Sequence, residues 1–283
     1  MRLLSTRELA DALGVSESSL KRWVDSGKIS ASRTEGGHRR IRISEAMRFI
    51  RATQAPVARP ELLDLPEVAV SRARGEDRLA SYLRDGDSVG ARGWLMARYV
   101  EGATIAELAD GPIRDAMAGL GELWHHDESG VFLEHRGTEA CLQAVAQLRS
   151  MIATVPATAP IALGGGPAGD PYILSTQLAA MVVTEAGMRA VNLGPDTPVG
   201  AFAHAVAEHQ PQLVWISISA PLAPARARSM SRWLDTLPAT TTIVIGGLQS
   251  RTLSNLPARA VRATSMADLA AAAGSTLKRQ RAS

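Results

Sequence analysis

The 283-residue chain carries 46% hydrophobic and 21% charged residues and a net charge of +3, which indicates a folded protein of two or three domains and excludes a disordered one. No apolar run reaches the roughly 18 residues that a membrane span needs, and the N-terminus lacks the pattern of a signal peptide. The single cysteine, Cys141, excludes an internal disulfide and a cysteine-rich zinc site. We therefore expect a cytoplasmic protein without a membrane partner.

The positive charge is concentrated at the N-terminus. Residues 1–51 hold 11 Lys and Arg against 6 Asp and Glu, a net charge of +5, whereas the rest of the chain sums to −2. A small basic region on a nearly neutral body is typical of a polyanion-binding module joined to other domains.

Residues 5–29 predict two short helices around a tight turn. Ser5 and Ser16 suit N-caps, and Gly14 suits the end of the first helix. Two short helices joined in this way form a helix-turn-helix, whose second helix can enter the major groove of DNA.

The stretch SRTEGGHRRIRI, residues 32–43, predicts a wing. Gly36-Gly37 is a hairpin turn signal, and the following strand alternates basic and apolar residues. The arginines of this wing are expected to face outward, toward phosphates. A small helical cap with a solvated basic surface is the alternative, and the agreement of caps, turn glycines and charge argues against it.

The order of these elements, with GGHRR after the second helix, resembles the winged helix-turn-helix of the MerR and excisionase families. The resemblance implies such a domain over residues 1–54, with double-stranded operator DNA as its partner. It implies that eight side chains face the DNA: Ser18, Lys21, Arg22, Arg33, His38, Arg39, Arg40 and Arg42.

Residues 55–75 contain three prolines and predict a linker that docks in part, and residues 76–153 predict a four-helix bundle. Pro112 suits the first turn of one of the helices. Apolar residues then recur at helical spacing in two stripes. The first holds Ile113, Met117, Leu120 and Trp124; the second, on a helix from about 131 to 152, holds Cys141, Val145, Leu148 and Ile152.

Extending the second stripe toward the N-terminus places Glu134 on the inward face of the bundle. A carboxylate in that position needs a partner, water or a ligand. The alternative is a residue in the first helical turn that reaches solvent, and the residues alone favour this alternative.

Residues 160–279 alternate strands and helices and predict a Rossmann-like, five-stranded parallel sheet with helices on both faces. Ligands of such folds bind at the carboxyl ends of the strands. The expected fold class is therefore multi-domain, α and α/β. The predicted strands are PIALGG, RAVNLG, LVWISIS, TTIVIGG and ARAVRAT, which begin at residues 160, 189, 213, 241 and 258.

The bundle sequence resembles that of CarH/LitR-type regulators, the MerR-family photoreceptors that use adenosylcobalamin. In WHHDESGVFLEH, nine residues separate Trp124 from Glu134-His135, similar to the W-x9-EH signature of that family. The resemblance implies that these three residues lie beside the adenosyl group, above the corrin. It also implies that His125 can reach cobalt after light has removed that group.

The sheet resembles the cobalamin-binding fold in its spacing, which is D-x-H-x-x-G, about 41 residues, S-x-L, about 26 residues, then GG. Here 41 residues separate Ser175 from Ser217, and 26 separate Ser219 from Gly246. The resemblance implies seven cofactor-binding positions: Asp170, Tyr172, Ser175, Ser217, Ser219, Gly246 and Gly247.

The sequence departs from this motif at the cobalt ligand. Tyr172 stands where the family has the histidine that ligates cobalt from below, and a neutral phenol is a poorer ligand than imidazole. Asp170-Pro171 also suits the N-cap and first residue of a helix without any ligand. The glycines at 164–166 and 246–247 are expected to let a large planar ligand approach the backbone.

Together these features predict a transcriptional regulator, not an enzyme, whose operator binding is controlled by ligand- or light-dependent assembly into dimers or tetramers. Two versions stay open. Adenosylcobalamin binds without the lower histidine, or cobalamin is lost and the site takes another ligand or a protein such as an antirepressor. A corrinoid carrier of methyl transfer is a third and less favoured reading, because such carriers need no DNA-binding head.

Overall fold

The computed structural model describes residues 3–63, 65, 77–123 and 128–282. The chain divides into two compact units. The first comprises Met1–Thr104 and Gly111–Thr154, and the second comprises Ile105–Asp110 and Val155–Ser283.

The N-terminal part of the first unit is a winged helix-turn-helix, referred to below as the head. Its helices are α1 (Thr6–Leu13), α2 (Glu17–Asp25) and α3 (Ile43–Thr53). Strands β1 (Leu3–Ser5), β2 (Ser32–Arg33) and β3 (Arg39–Arg42) form an antiparallel sheet in the order β1-β3-β2.

The predicted helix boundaries of the head are confirmed. Ser5 and Glu8 form a capping box at the start of α1, and Gly14 ends this helix in the left-handed conformation. The hydroxyl of Ser16 accepts a hydrogen bond from the Ser19 N–H, at 3.2 Å, at the start of α2.

Two elements of the head, β1 and α3, were not predicted. Ile43 was expected to end the wing strand, but it begins α3. The signal was present in the sequence, because Ile43, Met47 and Ile50 recur at steps of four and three residues and are all buried.

The first part of the segment after α3 docks on the head, in agreement with the prediction of a linker that docks in part. The N–H groups of Ala58 and Arg59 both donate to the carbonyl of Ala12, at 2.8 and 3.0 Å. A 3-10 turn at Pro60–Leu63 follows, and Leu63 is buried. Residues 64 and 66–76 of the predicted linker lie outside the described part of the chain.

Four helices form the bundle: α4 (Asp77–Asp85), α5 (Ser88–Val100), α7 (Arg114–Leu123) and α8 (Glu128–Arg149). Helix α8 packs against the other three. The described part of each predicted stripe faces the core, with Ile113 and Leu120 buried on one side and Cys141 and Leu148 on the other. Burial raises the pKa of the Cys141 thiol to about 12, so this cysteine is a packing residue.

The prediction for Pro112 is wrong. The chain is already helical in α6 (Ile105–Leu108) and passes through a π-helical turn, Ala109–Ile113, before α7. Pro112 lies inside that turn. A proline has no N–H to donate, and a π-helical turn is a usual site for such an interruption of a helix.

Segment Ile105–Asp110 belongs to the second unit and is anchored there at both ends. The carboxylate of Glu185 accepts a hydrogen bond from the Ile105 N–H at 2.8 Å. The carboxylate of Asp110 accepts from the N–H groups of Met266 and Ala267, at 2.8 and 2.9 Å.

The second unit contains the predicted five-stranded parallel sheet. Its strands are β4 (Ile161–Gly165), β5 (Arg189–Asn192), β6 (Leu213–Ser217), β7 (Thr242–Gly246) and β8 (Ala260–Arg262), in the order β5-β4-β6-β7-β8. Its helices are α9 (Ile173–Glu185), α10 (Val199–His209), α11 (Pro224–Asp235) and α12 (Met266–Ala282). Among the described residues, no helix is long and apolar enough to cross a membrane.

Side chains alternate across this sheet. Val214 and Ile216 of β6 join a buried cluster with Phe202 of α10 and Trp233 of α11. Trp215 between them points to the other face, on the side of α9 and α12. Gly164 of β4 is paired in register with Trp215 and leaves room for it.

Replacing Gly164 by alanine tests this packing. A Cβ at Gly164 would lie 2.1 Å from the carbonyl oxygen of Trp215, so we expect the Gly164→Ala variant to lose about 1–3 kcal/mol of unfolding free energy. Urea denaturation followed by circular dichroism measures this loss. Gly200→Ala, on an exposed position of α10 with nothing within 4 Å, is the control and should gain up to about 1 kcal/mol. Equal effects of the two substitutions would contradict the packing argument.

Candidate nucleic-acid interface and ligand site

Helix α2 presents the polar and basic side chains that were predicted to face DNA. Ser18, Lys21 and Arg22 are exposed. Lys21 lies 3.0 Å from the Glu17 carboxylate, and the hydrogen bonds from Lys21 and Thr6 lower the pKa of that carboxyl. Exposed ion pairs contribute little to stability, so Lys21 can exchange its partner for a phosphate at small cost.

The arginines of the wing lie on both faces of its sheet. Ile41 is fully buried, so the two-residue alternation of β3 places Arg40 and Arg42 on the opposite face and Arg39 on the same face as Ile41. Arg39 donates a 2.7 Å hydrogen bond to Asp25 Oδ1 at the end of α2. The prediction that the wing arginines face outward is therefore wrong for Arg39.

Two further residues predicted to contact DNA lie at the wing hairpin. Arg33, in β2, and His38, beside the turn, are both exposed. The turn itself is as predicted, with the Thr34 N–H donating to the His38 carbonyl at 3.0 Å. The structure thus gathers seven of the eight predicted DNA-facing side chains on exposed or half-buried positions of α2 and the wing, and turns Arg39 inward.

Within the first unit, Arg51 joins the head to the bundle. Its guanidinium lies over the ring of Tyr99, 3.9 Å from the centroid, and donates to the carbonyl oxygens of Tyr99 and Ala103. These carbonyls lie at the C-terminal end of α5, where backbone oxygens lack helical partners and attract a cation. Sequence reasoning missed this residue, because its partners are about 50 positions away in the chain.

The bundle brings Glu134 and His135 together. Helix α8 begins at Glu128, so Glu134 lies in its second turn and not in the first, and its side chain is only 17% exposed. Its carboxylate accepts a 2.9 Å hydrogen bond from Thr138 and lies 3.5 Å from His135 Nε2. The alternative that Glu134 escapes to solvent is wrong. Trp124 and His125 lie outside the described residues, and their roles stay predictions.

The carboxyl edge of the sheet is organised around Asp170, which is 1% exposed. One oxygen of its carboxylate accepts from the N–H of Tyr172 at 3.1 Å. The other accepts from the N–H groups of Ser219 and Ala220. A single side chain thus ties the loop after β4 to the loop after β6.

The prediction of Asp170 as a helix N-cap is wrong. Helix α9 begins at Ile173, and the N-cap position belongs to Tyr172, which makes no side-chain capping bond. Pro171 also lies before the helix and not in it. The Asp170 carboxylate is turned inward to the amides of the loop after β6.

The other motif positions meet at the same edge. The Ser219 hydroxyl donates to the Ser175 hydroxyl at 3.0 Å, and Ser217 is buried and paired in register with Gly246. The side chain of Tyr172 is exposed. The hydrogen bond between Ser219 and Ser175 adds a link between the loop after β6 and the first turn of α9.

Two glycines of this edge, Gly165 and Gly247, make room for the protein's own backbone, whereas a Cβ on Gly246 would make only ordinary contacts. A Cβ on Gly247, which has a φ of +98°, would lie 2.3 Å from the carbonyl oxygen of Ile218. A Cβ on Gly165 would lie 2.6 Å from the carbonyl oxygen of Gly194. Internal packing therefore accounts for these glycines without a planar ligand.

The edge does not fit a histidine-type lower ligand site for cobalt. Tyr172 occupies the ligand position, and Asp170, which would orient an imidazole, already gives both carboxylate oxygens to backbone amides. Over the described ranges, no group of three or more His, Cys, Asp and Glu residues could hold a metal ion.

Two sequence families match the chain. Residues 3–54 match the family described as a helix-turn-helix domain, and residues 76–149 match the family described as a B12 binding domain. The chain thus joins a helix-turn-helix domain to a B12-binding domain. This combination supports a regulator with a cobalamin-binding module. No curated protein sequence matches the chain significantly.

Three solved structures are similar to the chain to different degrees. The Methanosarcina barkeri monomethylamine corrinoid protein superposes with a TM-score of 0.53 at 17% identity, over 70% of this chain and 96% of that chain. The methanol:cobalamin methyltransferase complex MtaBC of the same organism gives 0.39 at 18% identity, over 80% of this chain and 88% of that chain. A cobalamin-binding protein from Desulfitobacterium hafniense DCB-2 gives 0.35 at 19% identity, over 73% and 98%. The first of these shows the corrinoid-protein fold.

Replacing Asp170 by asparagine tests its role at the sheet edge. Asparagine keeps one acceptor oxygen but turns an NH2 group toward backbone donors, so we expect a loss of about 1–3 kcal/mol of unfolding free energy. Hydrogen exchange of the Ser219 and Ala220 amides should also become faster. The control is Asp196→Asn at the same edge, because Asp196 is exposed and accepts one hydrogen bond, from Gly169. Unchanged exchange in Asp170→Asn would rule out the proposed link between the loops.

Proposed function

We propose that this protein is a DNA-binding transcriptional regulator, and not an enzyme, in which the bundle and the sheet act as a sensor that controls operator binding. The observation that carries the proposal is the pairing of a basic winged helix-turn-helix with a B12-binding bundle in one chain. The cations of α2 and the wing supply phosphate contacts, which dominate the affinity of proteins for DNA. The proposal places the protein with the DNA, in the cytoplasm.

Adenosylcobalamin is the first candidate ligand. The match of residues 76–149 to a B12-binding family supports it, as does the pairing of Glu134 with His135 on α8. When bound, this cofactor would supply a light-sensitive cobalt–carbon bond. Glu134 and His135 of the bundle would supply polar groups to this cofactor.

A second candidate is a sensor that has exchanged cobalamin for another ligand or for a protein partner. The burial of Asp170 and its three hydrogen bonds from backbone amides favour it, because the motif acid here holds loop backbone in place. In either version, the sensor acts on DNA binding through assembly of the chain into dimers or tetramers, as in the MerR-family photoreceptors that the sequence resembles.

Arg51 offers a route from sensor to head. It fills the carbonyl end of α5 with a side chain from the last helix of the head, so a displacement of α5 would move α3 with it. Contacts of this kind between a guanidinium and carbonyls have a defined geometry, since the guanidinium is planar and its donors are fixed.

The salt dependence of DNA binding tests the head. We expect the affinity of the full chain for a short duplex of arbitrary sequence to fall linearly with salt on logarithmic axes, and Lys21→Ala to reduce the slope by about 1. Fluorescence anisotropy over a salt series measures this slope. Arg228→Ala, an exposed substitution on α11, is the control and should leave it unchanged. A wild-type protein without affinity for DNA would sink the proposed function.

An absorption spectrum tests the ligand. Apoprotein incubated with adenosylcobalamin in the dark and then desalted is expected to retain a corrin spectrum that changes on green light. Protein without corrin after desalting would overturn the cobalamin version and leave the second candidate.

A substitution at the cobalt-ligand position gives a further test. We expect Tyr172→His to retain no more cobalamin than the wild type, because Asp170 is committed to the loop amides. Transfer of a methyl group from a methylcobalamin-loaded sample to a thiol would instead support a carrier protein.

A further inference from the structure

Two arginines lie directly opposite each other in the wing. Arg33 of β2 pairs with Arg39 of β3 in the antiparallel register, so their side chains share one face of the hairpin. Like charges in directly opposite positions destabilise a strand pair. A negative charge close to Arg39 therefore stabilises the hairpin.

Asp25 supplies that charge from the end of α2. Its Oδ1 accepts a 2.7 Å hydrogen bond from Arg39, whose side chain is only 22% exposed. Asp25 is the last residue of α2, where the helix dipole disfavours an anion. Its carboxylate is thus unfavourable for its own helix and favourable for the wing.

The guanidinium of Arg39 is partly enclosed. Its Nε is buried and has no hydrogen-bond partner. Arg40, the next residue, lies on the opposite face of β3. The two neighbouring arginines therefore have different surroundings, although the sequence assigns them the same role.

We propose that Arg39 is a positioning residue for DNA binding, which acts through Asp25 to clamp the wing against α2, while Arg40 belongs to the surface that meets phosphate. The clamp holds the cations of α2 and those of the wing at a constant separation. This inference rests on the proposed function, since it assigns a role within DNA binding.

Salt dependence separates a positioning arginine from a phosphate contact. A phosphate contact releases counterions, so its removal reduces the salt slope by about 1. Loss of a clamp weakens binding but leaves the number of phosphate contacts, and so the slope, nearly unchanged. Asp25 sharpens the distinction, because removing an acidic side chain near DNA strengthens binding unless that side chain has a structural task.

The experiment measures binding of the full chain to one duplex over a salt series by fluorescence anisotropy. The variants are Arg39→Gln, Asp25→Asn, the double variant, and Arg40→Gln as the matched control. We expect Arg39→Gln and Asp25→Asn each to weaken binding about fivefold without changing the slope, and the double variant to be no weaker than either. Arg40→Gln should reduce the slope by about 1.

The opposite pattern overturns the inference. If Asp25→Asn tightens binding and Arg39→Gln reduces the slope by about 1, Arg39 is itself a phosphate contact. If the wild-type chain binds no DNA, the proposed function fails. Hydrogen exchange then still tests whether the contact between Arg39 and Asp25 holds the wing hairpin. In that case Asp25→Asn should speed exchange at the Thr34 and Gly37 amides, which close the hairpin turn, and unchanged exchange would exclude the clamp.

Discussion

A buried carboxylate must satisfy both of its oxygens, and the way in which Asp170 does so organises the ligand edge of the second unit. Its oxygens accept hydrogen bonds from three backbone N–H groups in two loops that lie 49 or 50 residues apart in the chain. Burial of a charge without such partners would cost several kcal/mol. The start of α9 and the course of the loop after β6 both follow from this requirement.

At this edge, the fold and the motif spacing point to one role, and the hydrogen bonds of the motif residues show another. The spacing of the serine and glycine positions resembles that of a cobalamin-binding fold, and the sheet has the architecture of a corrinoid protein. Yet its aspartate binds loop amides, Ser219 donates to Ser175, and Gly165 and Gly247 admit neighbouring backbone. The fold is that of a corrinoid protein, while the aspartate and the two serines at this edge have structural tasks.

In the head, the alternation of side chains along β3 places its arginines on opposite faces of the strand. Arg40 and Arg42 lie on the face opposite the buried Ile41, whereas Arg39 shares its face and reaches Asp25. A second arginine with an internal contact, Arg51, binds carbonyl oxygens at the C-terminal end of α5 in the bundle. Basic residues of the head thus serve both the exposed surface and its internal connections, so net charge alone overstates the number of phosphate contacts.

Local patterns in the sequence determined the caps of α1 and α2, the wing turn, the apolar stripes of the bundle and the five parallel strands, because each depends on residues within a few positions of one another. Only the tertiary structure decided which way Asp170, Arg39, Arg51 and Glu134 turn. Arg39 binds Asp25, 14 residues away, and Arg51 binds Ala103, 52 residues away. Asp170 binds Tyr172, 2 residues away, and also Ala220, 50 residues away. No periodicity in the sequence specifies these partners. For Glu134 the deciding fact was the start of α8 at Glu128, since one additional helical turn moved its carboxylate from a frayed end to the side of Thr138.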